Sequence, residues 1–169
     1  MTTNLTCKDL MIAKEAQVTL HPDDTISKAF QLMRKQGMRF LPVVDDAGHY
    51  IGVFTSPTLI RLMLPRALTI DLGGKDSHKG LTDLSFFNLD QESFFESLDE
   101  VKDHPVKDYL SDPKDIPTAT PDTPIMEGIL LLHRFKRHVI LIEPGSRKFV
   151  GVLSINSSLC HIFDEDYAV

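Results

Sequence analysis

Tryptophan is absent from this 169-residue sequence, cysteine occurs only twice, and apolar runs are short. Runs such as Ile129–Leu132 and Val139–Ile142 hold four residues, against about 20 needed to span a bilayer. The opening Met1-Thr2-Thr3-Asn4 lacks the basic and apolar segments of a secretory signal. A soluble, cytoplasmic protein with no membrane contact is therefore expected. Cys7 and Cys160 have no Cys or His at metal-ligand spacing, which argues against a zinc site. A reducing compartment favours two free thiols over a disulfide between them. Positive charge is also scarce. Eighteen Lys/Arg against 24 Asp/Glu leave a net charge of −6, which speaks against a nucleic-acid partner, because phosphate contacts need a basic face. No Gly-rich phosphate loop, Gly-x-Ser-x-Gly elbow or His-Glu-x-x-His motif marks an enzyme.

What is present is a repeat. Shifted by 99 residues, positions 7–64 lie over 106–163 without a gap. Lys8-Asp9 falls on Lys107-Asp108, Thr19 on Thr118, Pro22-Asp23 on Pro121-Asp122 and Gly52-Val53 on Gly151-Val152. Nine identities in 58 positions are few, but the apolar positions agree in an ordered series of elements.

Each copy begins with an extended stretch ending in Thr19-Leu20-His21 or Thr118-Ala119-Thr120. A helix start follows: Asp23, Asp24 and Thr25 offer capping oxygens in the first copy. In the second, Thr123 can cap while Pro124 takes the first helical position. Ile26, Ala29, Phe30 and Met33 make one apolar stripe, matched by Ile125, Gly128, Ile129 and Leu132. Gly37 ends the first helix. The runs 40–44 and 139–142 are apolar throughout and read as strands buried on both faces. Turns at 45–48 and 143–146 lead to return strands 50–54 and 149–153. Short helices over about 57–64 and 157–163 close each β-α-β-β-α unit. One such unit leaves an apolar sheet face exposed, so the two pack sheet to sheet.

Lys8-Asp9-Leu10-Met11, Pro22-Asp23-Asp24-Thr25, Arg39-Phe40-Leu41-Pro42-Val43-Val44-Asp45 and Gly52-Val53-Phe54-Thr55 resemble the CBS-domain family. Their partial echoes are Lys107-Asp108-Tyr109-Leu110, Pro121-Asp122-Thr123-Pro124 and Gly151-Val152-Leu153-Ser154. The duplication makes the chain similar to a CBS pair, or Bateman module. That resemblance implies an α/β (α+β) fold with pseudo-two-fold symmetry: motif 1 over 7–64, an acidic insert over 65–105 and motif 2 over 106–163. It also implies a disc-like homodimer of four motifs, no required cofactor and no catalysis. The implied ligand is AMP, ADP, ATP or S-adenosylmethionine, held between the motifs. By the same resemblance, backbone near Thr19 or Thr118 reads adenine, and Thr55 and Ser154 contact ribose or phosphate at a helix start. Arg39 and His138, equivalent in the gapless alignment, contact phosphate with Arg137 beside them.

One departure bears on that expectation. Where such motifs place Asp three residues after the Thr/Ser, this chain has Thr58 and Ser157. A hydroxyl lacks the paired acceptors a carboxylate offers to a ribose diol. The alternative is a dimerisation or docking module whose clefts bind no nucleotide.

The stretch from His133 to His138 is the most basic in the chain and reads either as a phosphate site or as a solvated helix end. The remaining histidines show no ligand spacing, and Asp23-Asp24 is explained by capping. Residues 65–105 carry nine acids and four bases. Residues 73–80 read as a loop, and 89–101 as a helix with Phe94, Leu98 and Val101 on one face. Phe86, Phe87, Phe94 and Phe95 either dock onto the module or form a surface for an unidentified protein partner.

Overall fold

The computed structural model describes residues 4–64 and 91–166. Phe86, Phe87 and the loop expected over 73–80 lie outside the described residues. The elements are α1 (Cys7–Leu10), β1 (Ile12–Ala13), α2 (Ile26–Gln36), β2 (Phe40–Val44), β3 (Tyr50–Thr55), α3 (Ser56–Met63) and α4 (Gln91–Val101). After them come β4 (Thr118–Ala119), α5 (Ile125–Phe135), β5 (Val139–Ile142), β6 (Phe149–Leu153) and α6 (Ile155–Asp166). Short 3-10 turns occupy Val106–Tyr109 and Pro113–Asp115.

Helix boundaries follow local chemistry. Thr25 Oγ1 accepts the Lys28 amide at the start of α2, and Gly37 ends that helix with φ 63. Pro124 stands one position earlier than expected, at the N-cap of α5, with no side-chain cap. The Thr123 hydroxyl accepts from the Thr120 amide, closing the turn before the helix rather than capping it.

The two halves exchange their lead-ins. β1, from the N-terminal end of the chain, pairs antiparallel with β6, giving a sheet ordered β1-β6-β5-β4. The Cys7 and Lys8 amides donate to Thr123 O and Pro121 O. Ninety-nine residues later, the Val106 and Lys107 amides donate to Asp24 O and Pro22 O, while the Ser111 amide donates to Val53 O beside β3. Lys107 Nζ also meets Asp23 Oδ1 at 2.6 Å, which holds that carboxyl below its usual range. Buried Val106 completes the first core, and buried Cys7 and Leu10 complete the second. Burial pushes the Cys7 thiol pKa up, while Cys160 is exposed.

The exchange explains the repeated Gly-Val. A side chain on Gly151 would strike the Ile12 carbonyl, and one on Gly52 would meet Leu110 Cδ1 at 2.7 Å. Each glycine is the point where the other half's lead-in crosses the return strand. Between the sheets, Phe40, Tyr50, Val53, Ile116, Ile140, Phe149 and Val152 form a third core drawn from both halves. The hairpin tips also interlock, with the Tyr50 amide donating to Arg147 O and the Phe149 amide to Gly48 O.

Candidate ligand site

β5 departs from the gapless repeat. Val43 pairs with Gly52, but Leu141 pairs with Gly151. The glycines are 99 residues apart and their partners 98. Lys136 stands one position nearer to Leu141 than Gly37 does to Val43, and the following hairpin has one residue more. Its closing bond runs from the Glu143 amide to Lys148 O, against the Asp45 amide to His49 O in the first half. The expected equivalence of Arg39 and His138 is thereby corrected. Arg137 is the counterpart of Arg39, and His138 is the counterpart of Phe40. The sequence contained the signal only as a slip of one in the apolar run, since 138–142 fits 40–44 in burial better than 139–143 does.

Those last two counterparts meet across the pseudo-two-fold. The His138 ring stacks on Phe40, centroids 4.8 Å apart and planes 24° from parallel. Partial desolvation of the ring, in a residue that keeps an exposed edge, lowers its pKa. Arg137 is half-buried beside it, and Arg39 is exposed, its carbonyl accepting the Ser56 amide at the start of α3.

The expected ribose and phosphate hydroxyls sit at the starts of α3 and α6, but they are engaged locally. Thr55 and Thr58 are buried. Thr55 Oγ1 lies 3.2 Å from Thr58 Oγ1 and 3.3 Å from Ser111 Oγ, which arrives on the exchanged lead-in. In the second half, Ser154 and Ser157 cap one another. The Ser154 amide donates to Ser157 Oγ, the Ser157 amide to Ser154 Oγ, and the Ser157 hydroxyl to Ser154 O. Neither Thr58 nor Ser157 presents the paired acceptors of a carboxylate.

Two hollows adjoin these residues. A cleft of about 430 Å³ between the halves is lined by Lys14, Glu15, Thr19, Val44, Lys148 and Phe149, among others. A smaller recess of about 210 Å³ is lined by Leu132, Lys136, Arg137, His138, Ile155 and Asn156 at the start of α6. Lys136 holds φ 54 at the end of α5, where the first half uses Gly37. That conformation costs a non-glycine residue about 1 kcal/mol, and it places a third basic residue on the recess. Thr118 is exposed and lines neither hollow. Ser111, Lys14, Lys148 and Phe40 escaped sequence reading, because only the exchange and the hairpin contacts bring them here. Among the described residues no cluster of His, Cys, Asp and Glu could hold a metal, and no helix is long and apolar enough to cross a membrane.

This arrangement of two exchanged β-α-β-β-α halves about a shared cleft is the fold of CBS-pair proteins. Residues 1–65 match the CBS-domain family model. The whole fold is similar to that of CBSX2 from Arabidopsis thaliana, with a TM-score of 0.70 at 17% identity over 99% of this chain and all of that one. A CBSX2 structure in complex with AMP gives 0.67 at 15%, covering 95% of this chain and 98% of that one. A CBS-domain protein of unknown function from Bacillus anthracis gives 0.66 at 16%, covering 95% and 94%. An uncharacterized protein of Methanocaldococcus jannaschii is 40% identical over 57 residues, which is 34% of this chain and 33% of that relative. The matched segment thus spans about a third of that relative's length.

Proposed function

We propose that this CBS pair is a non-catalytic, cytoplasmic regulatory module that senses an adenine nucleotide or related adenosyl ligand and changes its contacts with a partner protein. The observation that carries this reading is the 430 Å³ cleft walled by both halves, with Thr19 and two lysines on its lining. Its size suits a nucleoside-sized ligand. Lys14 and Lys148 on the cleft supply cations for the ligand's anionic end, Lys136 and Arg137 do so on the separate recess, and the AMP bound by CBSX2 supports the ligand class. Because both halves wall the cleft, a ligand preferring one arrangement of them would shift that arrangement.

Calorimetric titration with AMP, ADP, ATP and S-adenosylmethionine, with and without Mg²⁺, tests this reading. Saturable micromolar binding that weakens at least about tenfold in Lys14→Ala or Lys148→Ala for the cleft, or in Arg137→Ala for the recess, is expected for a charge-assisted contact. No heat and no thermal stabilisation at millimolar ligand would reject it.

A second reading, a dimerisation or docking module with clefts that take no nucleotide, is favoured by the local engagement of Thr58 and Ser157. Under it the protein acts by self-association, through apolar helix faces left open to solvent.

A further inference from the structure

Helix α4 lies between the two copies of the repeat and belongs to neither, so the duplicated fold does not call for it. Val101 at its end packs on the first core. Its inner side, at Ser97 and Val101, shares a hollow with Leu62 and Leu64 from the end of α3. The other side is open. Glu92, Phe95, Glu96 and Asp99 recur there at helical spacing, all exposed, and with Leu98 they line a hollow of about 680 Å³. The Phe95 side chain is 54% exposed. Phe94 sets its ring nearly edge-on against it, with centroids 5.5 Å apart. That brace restricts the Phe95 ring in advance, which lowers the ordering cost when a partner covers it.

Charge on α4 gives the chemistry of that partner. The helix holds four acids, Glu92, Glu96, Asp99 and Glu100, and no base. Asp99 and Glu100 stand in its last turn, where the helix dipole disfavours negative charge. Helix stability therefore does not account for them. Lys102, just past the helix, meets Asp99 at 2.6 Å, but an exposed pair of this kind contributes little and is readily exchanged.

We propose that this face of α4 docks a basic segment of a partner protein, whose apolar side chain seats on Phe95 while its cations meet Glu92, Glu96 and Asp99. An aromatic anchor supplies affinity at such a contact, and the surrounding charge selects the partner. The inference rests on the partner-contact part of the reading above and is independent of the nucleotide.

Fluorescence anisotropy of a labelled peptide, with leucine and lysine at helical spacing, tests the face on the full chain. Micromolar binding that weakens with added salt is expected, and none for the matching leucine–glutamate peptide. Phe95→Ala should weaken binding about tenfold or more. Glu96→Lys should do the same and flatten the salt dependence. Glu127→Lys makes an equal change in net charge on the exposed surface of α5 and should leave affinity within about twofold. Circular dichroism confirms that each variant is folded. No binding of the lysine peptide, or equal losses in Glu96→Lys and Glu127→Lys, would overturn this face, while the nucleotide titration decides the sensing reading separately. Light scattering supplies the last arm: self-association abolished by Phe95→Ala would give the face to a second copy and overturn the basic partner.

Discussion

The imidazole of His138 lies on the ring of Phe40, 4.8 Å between centroids, joining the start of β5 to the start of β2. Each residue comes from a different half, and Phe40 belongs to the inter-sheet core. The stack therefore couples the two halves at the point where Arg39 and Arg137 approach the seam.

Partial desolvation of His138 at that stack should make stability depend on pH. Burial lowers the pKa of His138 from the ordinary 6.5, so the unfolded chain takes up this proton more readily than the folded one. Stability should fall as pH drops below about 6.5 and level off once the folded-state pKa is passed. Thermal melts of wild type and His138→Phe from pH 7.5 to 5 isolate this contribution. The variant keeps a ring on Phe40 and should show the shallower fall; parallel curves would remove His138 as the cause. His138→Ala at neutral pH should cost about 0.5–1.5 kcal/mol from loss of the ring pair.

Gly151 and Gly52 occupy equivalent crossings but should not respond equally to alanine. At Gly151 the new methyl meets the Ile12 backbone carbonyl, so β1 must move off β6. A loss of about 1–3 kcal/mol follows, lowering the melting temperature by about 2–4 °C per kcal/mol for a chain of this size. At Gly52 the neighbour is the tip of Leu110, which can swing aside, so the loss is smaller. Denaturant titration of both variants measures the difference. Equal losses would mean that the carbonyl at Gly151 yields as readily as a side chain.

Ser157→Asp tests the hydroxyl that stands where a carboxylate would serve a ribose. Position 157 is the third residue of α6, where a negative charge favours the helix by about 0.3–1 kcal/mol, so the fold should be unharmed. Its two oxygens would accept from both ribose hydroxyls, and affinity for AMP should rise about tenfold to a hundredfold. Thr58→Asp is the informative contrast. That position is buried, and a desolvated carboxylate there should lower stability. Calorimetry beside thermal melts separates the two effects. Unchanged AMP affinity in a folded Ser157→Asp protein would place the ribose elsewhere.

The order of elements was readable along the chain because it depends on local chemistry. The apolar stripe of Ile26, Ala29 and Met33, the Thr25 cap and the left-handed Gly37 each act within a few residues. The apolar strands 40–44 and 139–142 could be placed because burial on both faces removes polar alternation. The helix expected over 89–101 is described from Gln91 to Val101. Site residues were less legible. Two short apolar strands align almost as well with a slip of one, so only ladder hydrogen bonding could assign Arg137 rather than His138 to the place of Arg39.

By itself the sequence determined that this protein is a duplicated β-α-β-β-α unit, because apolar periodicity and turn signals are local and both were written twice. Tertiary structure alone decided that each lead-in crosses to the other half, since Thr6 and Pro105 start equivalent segments that reach across the molecule with nothing in their own residue types to direct them. It also decided that Thr58 and Ser157 are engaged by neighbours, and that Phe40 and His138 meet. Such contacts depend on register and on the packing of two sheets, which residues far apart in the chain settle together.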